Sequence, residues 1–285
     1  MKEENQGLQH VRFSEKETTE QIPALPPVRY RVASFNIRFD NPEDRRNRWE
    51  FRKSNLLGML HYYSWDIIGL QEVCGNQMTE LAALSGYRYE GEGRDGGLSG
   101  EHCPIFYRKD IFEKEAGGTF WLSLSPGEPS ISWGADCPRI CTWARLRDKR
   151  TGQVLVFLNT HLDHISEEAR FQGARLITDW IGSYVPDAPV MITGDFNAGR
   201  EERCYRKLSG FLRDAKWVSE GIPYGPEGTF SNFDYNMPWA EMKEIDYILV
   251  SEQVKVVSMR TVTDSFDRHY PSDHFPVTAE VEIRR

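Results

Sequence analysis

Hydrophobic positions alternate or run together in several stretches of the chain, and each predicts a β-strand. Over 30–39, Ala33, Phe35, Ile37 and Phe39 share one face and leave Asn36 and Arg38 on the other. The stretch 66–73 is apolar on both faces and ends at Glu72, the pattern of a central strand covered on both sides. Stretches 154–163 and 189–197 start as continuous apolar runs and finish polar, the first at Asn159, His161 and Asp163, the second at Asp195 and Asn197. Stretches 245–250 and 275–283 complete the clear cases, with shorter strands predicted at 105–107 and 142–146. Helical spacing appears over 45–63, where Trp49, Leu56, Leu60 and Tyr63 fall on one stripe. Ser166 predicts an N-cap for a helix running to about Gly182, with Glu167 and Glu168 in its first turn and Leu176, Ile177, Trp180 and Ile181 inward. A shorter helix is predicted over 77–84. Strands and helices intermixed along the chain predict an α/β fold whose sheets are covered by helices.

Residues 1–28 break this pattern. They are polar, lack periodicity and end in Pro23, Pro26 and Pro27, so they read as a tail or extended lead-in to one domain over 29–285. A chain of 285 residues can bury a sizeable core without staples. No apolar run approaches the roughly 20 residues needed to span a bilayer. The net charge of −8 argues against a protein that grips nucleic acid mainly by neutralising phosphates, though it leaves room for a local basic pocket. Cys74, Cys103, Cys137, Cys141 and Cys204 form no C-x2-C pair and are odd in number, so free thiols are expected over a Cys137–Cys141 bridge, in keeping with a reducing cytoplasm.

The informative positions are polar residues within or just past apolar strands: Asn36, Glu72, His161, Asp163, Asp195, Asn197, Asp246, Asp273 and His274. One such residue is usually a solvated strand end. So many, drawn from separate strands, are explained more economically by convergence on one site, because buried carboxylates need partners or a metal. Asp, Glu and Asn supply hard oxygen ligands suited to Mg²⁺ or Mn²⁺. The histidines lack zinc-site spacing, no G-x-S-x-G elbow occurs, and the glycines of 91–100 follow neither phosphate-loop nor dinucleotide patterns. Histidines beside carboxylates and a divalent cation suit phosphoester hydrolysis.

In order along the chain stand SFNIR (34–38), GLQEV (69–73), NTHLDH (159–164), GDFN (194–197), IDYILVS (245–251) and SDHFPV (272–277). Together they resemble the endonuclease/exonuclease/phosphatase superfamily of DNase I-like enzymes, in the spelling of a bacterial branch. The resemblance implies a four-layer α/β sandwich, two mixed sheets face to face with helices outside. It implies that Glu72 is the principal Mg²⁺ ligand, with Asn36 and Asp273 at the metal site. Asp195 and Asn197 would position the nucleophilic water and a phosphate oxygen, in reach of a second metal. His274 would be the general base, oriented by Asp246, and His161 would bind the phosphate or assist the leaving group, oriented by Glu101. Arg38 and Arg139 match positions that contact phosphate.

Bland readings stand beside these. Tyr107 reads as core, His102, His164 and His269 match no role, and Asp163 reads as structural. The aromatics Trp121, Trp133, Tyr224, Phe230, Phe233, Tyr235 and Trp239 suit base or sugar stacking as well as core. The substrate is a phosphoester of a nucleic acid or a small phosphorylated molecule: first a phosphodiester, second a sugar or inositol phosphomonoester. An inactive binding module ranks last.

Overall fold

The computed structural model describes residues 28–284, so the expected lead-in lies outside the described residues except for Val28. Strand β1 (Arg29–Asn36) is followed by a 3-10 turn at Pro42–Asn47 and helix α1 (Trp49–Tyr63), then β2 (Ile67–Gln71) and α2 (Gly75–Ala82). Next come β3 (Tyr87–Glu90), β4 (Ile105–Arg108), β5 (Phe112–Trp121), β6 (Ile140–Asp148), β7 (Val154–His161) and α3 (Glu167–Tyr184). The chain closes with β8 (Val190–Asp195), α4 (Arg203–Ser209), β9 (Arg213–Asp214), α5 (Ala215–Val218), β10 (Asp246–Val250), β11 (Val254–Thr261) and β12 (Val277–Ile283).

The strands form two sheets of six, ordered β11-β12-β1-β2-β4-β3 and β5-β6-β7-β8-β10-β9. Each sheet is mixed, with one parallel pair (β1 with β2, β7 with β8) among antiparallel neighbours. The parallel pairs are β-α-β crossovers through α1 and α3, the connection such pairs require. Three apolar layers fix the stacking. Tyr30, Val32 and Ile67 of the first sheet meet Leu146, Phe157 and Ile248 of the second between the sheets. Trp49, Leu56 and Leu60 of α1 cover the outside of the first sheet, and Ala174 and Ile177 of α3 cover the second. The result is the expected four-layer sandwich of a DNase I-like fold.

The predicted element boundaries shift mostly at the ends. The 45–63 helix begins only at Trp49, because Arg45 (φ 50°, ψ −115°) breaks the 3-10 turn before it. Ser166 caps α3 as expected, its hydroxyl accepting from the Ala169 amide at 3.1 Å. The first strand stops at Asn36, so Arg38 does not share a strand face with it.

One close approach between the sheets requires a glycine. A Cβ on Gly69 would overlap Thr193 Oγ1 and Asn159 Oδ1. Asn159 there donates to the Leu70 and Pro104 carbonyls at 2.7 and 3.1 Å and accepts from Gln71 Nε2 at 2.7 Å. This buried polar bridge ties β2 to β7 just beneath the strand ends that carry the polar residues.

Candidate active site

Sheet register brings those strand ends together. On the second sheet His161, Asp195 and Asp246 sit side by side across β7, β8 and β10. On the first, Asn36 pairs with Gln71, so Glu72 emerges next to it, and Asp273 and His274 lie just before β12. Three residues turn sharply where the strands end: Arg38 (φ 57°), Glu72 (φ 62°) and Asn197 (φ 48°) occupy the left-handed backbone region. Non-glycine residues adopt it at a cost of about 1–3 kcal/mol each, and such strain concentrates at functional sites.

His274 and Asp246 form the tightest pair. His274 Nδ1 lies 2.8 Å from Asp246 Oδ2, and the Thr229 hydroxyl donates to the same oxygen at 2.6 Å. The Phe230 ring lies 4.9 Å from the His274 ring, fixing its tilt. Burial alone pushes His274 down, but the charges of Asp246 and Asp195, the Asp246 hydrogen bond and Asp273 together hold it well above its usual value. His161 behaves oppositely: burial, then the charge of Arg139, push it well below the usual range, so it is a neutral imidazole. Its Nε2 lies 2.9 Å from Asn197 Nδ2 and 3.4 Å from Asp195 Oδ2.

Asn36 holds two carboxylates. Its amide nitrogen donates to Glu72 Oε1 and Asp195 Oδ2, both at 2.9 Å, while its oxygen accepts from the Arg38 amide at 2.9 Å. In this arrangement Asn36 orients the carboxylates instead of offering an oxygen to a metal. Glu72, Asp195 and His274 each present an atom within 4.8 Å of the others. Burial lifts Asp195 to about 7 and also raises Asp273, where the charge of Glu72 adds to the effect. Closely packed acids pushed upward by burial and one another are a field that a divalent cation would relieve, so the donor set fits a hard metal ion. His274 Nδ1 is engaged by Asp246, and its other nitrogen cannot both ligate and accept a proton. A base role for His274 therefore leaves Glu72 and Asp195 as the ion's ligands.

These groups line a cavity of roughly 550 Å³. Glu101 and Arg139 line it as expected, but with different partners. Glu101 pairs with Arg94 at 3.0 Å, so the expected contact that would orient His161 is not made. Arg139 is held by Asp163 at 3.5 Å and lies 2.8 Å from His164 Nδ1, while Asp163 accepts from the Ile165 and Ser166 amides and so anchors the start of α3. Arg38 also faces the cavity, yet its guanidinium is bonded to both oxygens of Asp44 at 2.8–2.9 Å and lies 3.8 Å from Asp273. The sequence reading missed Arg94, Thr229 and Lys243. Each lies in an irregular loop without periodicity, so spacing carried no signal for them.

Tyr107 is core, as read, and all five cysteines are free. Of the aromatics, Trp121 is buried and bonded to the Arg94 carbonyl, Phe230 lines the cavity, and Tyr224 and Trp239 are exposed away from it.

The chain resembles an endonuclease/exonuclease/phosphatase from Bacteroides vulgatus, with 38% identity over 90% of this chain and 100% of that one and a TM-score of 0.86. A mannosyl-6-phosphatase from Bacteroides thetaiotaomicron is also 38% identical, over 88% of this chain and 99% of that one, with a TM-score of 0.83. Nocturnin from Drosophila melanogaster is 24% identical over 287 residues, 82% of this chain but 42% of its own length, so the chain spans less than half of that curated relative. Residues 33–274 match the Endonuclease/Exonuclease/phosphatase family, and the chain belongs to that family, whose members hydrolyse phosphoesters.

Proposed function

We propose that the protein is a Mg²⁺-dependent phosphomonoesterase acting on a small phosphorylated molecule, a sugar phosphate foremost. The observation that carries this reading is the cavity wall, where Lys243 has no ion-pair partner among the described residues and Arg38, Arg94 and Arg139, each paired with a carboxylate, stand beside the His161–Asp195–His274 cluster. Cations around one hollow suit a dianionic terminal phosphate, whereas a net charge of −8 disfavours a grip that rests mainly on neutralising a polynucleotide backbone. The 38% identity to a protein named as a mannosyl-6-phosphatase points the same way. The sequence ranks a phosphodiester first; the reading proposed here ranks the monoester ahead of it. A diester remains the second reading, favoured by Phe230 and Asn232 on the cavity wall.

In this reading His274 aligns water for attack, its ring held by Asp246 and Phe230, while Asn197 and neutral His161 hold a phosphate oxygen and the leaving oxygen. Glu72 and Asp195 would hold a Mg²⁺ ion, which would supply positive charge to the phosphate and offset the carboxylate field that raises His274. Steady-state hydrolysis of a hexose 6-phosphate and of a bis-aryl phosphodiester, both with Mg²⁺, tests the assignment. The monoester should be the faster substrate by kcat/KM; a faster diester would overturn it.

A further inference from the structure

The cavity does not end at the reacting groups. Across Asn197, Lys243 and Ile245 it adjoins a second hollow of roughly 440 Å³, walled by Gly199, Arg200, Glu201, Glu202 and Glu244. Asn197 belongs to the reaction centre, so whatever is bonded to the phosphate can extend directly into this space.

Its wall is polar and largely fixed. Arg200 is bonded to both oxygens of Glu244, lies 2.9 Å from Asp214 and rests 4.7 Å over the Trp217 ring. Glu202 is tied to Arg170 at 2.7 Å. Among the described residues, Glu201 and Lys243 have no ion-pair partner, and both are exposed.

An occupant of this hollow meets carboxylate acceptors on one side and an ammonium donor at the threshold. Hydroxyl groups satisfy both, since each donates and accepts. A further phosphate would face the unpaired Glu201, with Arg200 already committed to Glu244 and Asp214, and an aromatic ring would leave the polar wall unpaired. Resting on the phosphomonoesterase reading, we infer that this hollow seats the neutral, polyhydroxylated part of the substrate, with Glu201 and Lys243 accepting from and donating to sugar hydroxyls. Neither residue belongs to the motifs that make up the reaction centre.

The test compares kcat/KM for mannose 6-phosphate and phenyl phosphate, using the full chain with Mg²⁺, in wild type and in Glu201→Ala and Glu201→Lys. Phenyl phosphate carries the same ester but no hydroxyls. The ratio of mannose 6-phosphate to phenyl phosphate should fall about tenfold or more in both variants, mainly through KM for the sugar, the loss expected for a hydrogen bond to a charged group. An unchanged ratio in an active, folded variant overturns the inference and leaves the phosphomonoesterase reading standing. A wild type that hydrolyses diesters but neither monoester overturns both.

Discussion

His274 holds its ring in place through a single nitrogen. With Nδ1 engaged by Asp246 and Phe230 against the ring face, the other nitrogen points to the cavity, 3.7 Å from Asp195 Oδ2. His274→Ala should therefore lower kcat by on the order of 10²–10⁴-fold, the usual worth of a positioned acid or base. Circular dichroism should be unchanged, because the ring donates to no backbone group. Retention of near-full activity would show that another group activates the water. At this scale the clustering of these residues is legible because carboxylates and histidines at the ends of apolar strands are costly unless they share a task. Their partners were less legible. Glu101 was expected beside His161, but the loop before it folds back through Gly96, Gly97 and Gly100, each with positive φ, and delivers Arg94 to it instead. Arg38 was read as free to grip phosphate, but Asp44 lies in the 3-10 turn and reaches it only because that turn doubles back.

Each crossover helix grips the loop before it with a buried arginine. On α1, Arg52 sits in the apolar stripe one turn after Trp49 and donates to the carbonyls of Ile37, Arg38, Phe39, Asn47 and Pro271. It thereby ties the loop after β1 to the segment that leads into Asp273 and His274. With no carboxylate bonded to it, burial brings it down to about 10, still charged at neutral pH. On α3, Arg170 donates to the Asp163 carbonyl at 3.0 Å and pairs with Glu202. Arg52→Met leaves those carbonyls buried and unpaired, which should cost about 2–4 kcal/mol in urea unfolding. It should also lower kcat more than it raises KM, because it loosens the segment that carries His274 without touching bound substrate. Arg52→Lys should recover part of the stability. An Arg52→Met protein as stable and active as wild type would mean that the two loops hold their positions unaided. A charged residue inside an apolar stripe was visible in the sequence, but the carbonyls it serves lie far along the chain. The long central strands and both crossover helices were legible from periodicity. Strands β3, β5 and β11 were not: β3 has no fully buried residue, β5 is exposed along much of its length, and register shifts at Lys114/Ala116 and Val256/Ser258 break the alternation of β5 and β11.

For the molecule as a whole, the carboxylates and histidines of the site join the two sheets at the end where a cation would sit. Glu72 leaves the first sheet and Asp195 ends a strand of the second, and the Asn36 side chain donates to both carboxylates. Neighbouring acids held close in this way work against folding until an ion offsets them, so an ion bound only by the folded chain should stabilise both sheets together. At a hundredfold excess over its Kd the gain is about 2.7 kcal/mol. For a chain of this size that corresponds to a rise in Tm of about 5–10 °C. Scanning calorimetry of chelated protein with and without Mg²⁺ measures the shift independently of any substrate. Glu72→Gln should start from an equal or higher Tm without the ion, because one repelling charge is gone, and should lose most of the response to Mg²⁺. A mutant that keeps the full shift would place the ion away from Glu72, and a wild type without a shift would leave the clustered acids to be balanced by His274 and Arg38 alone.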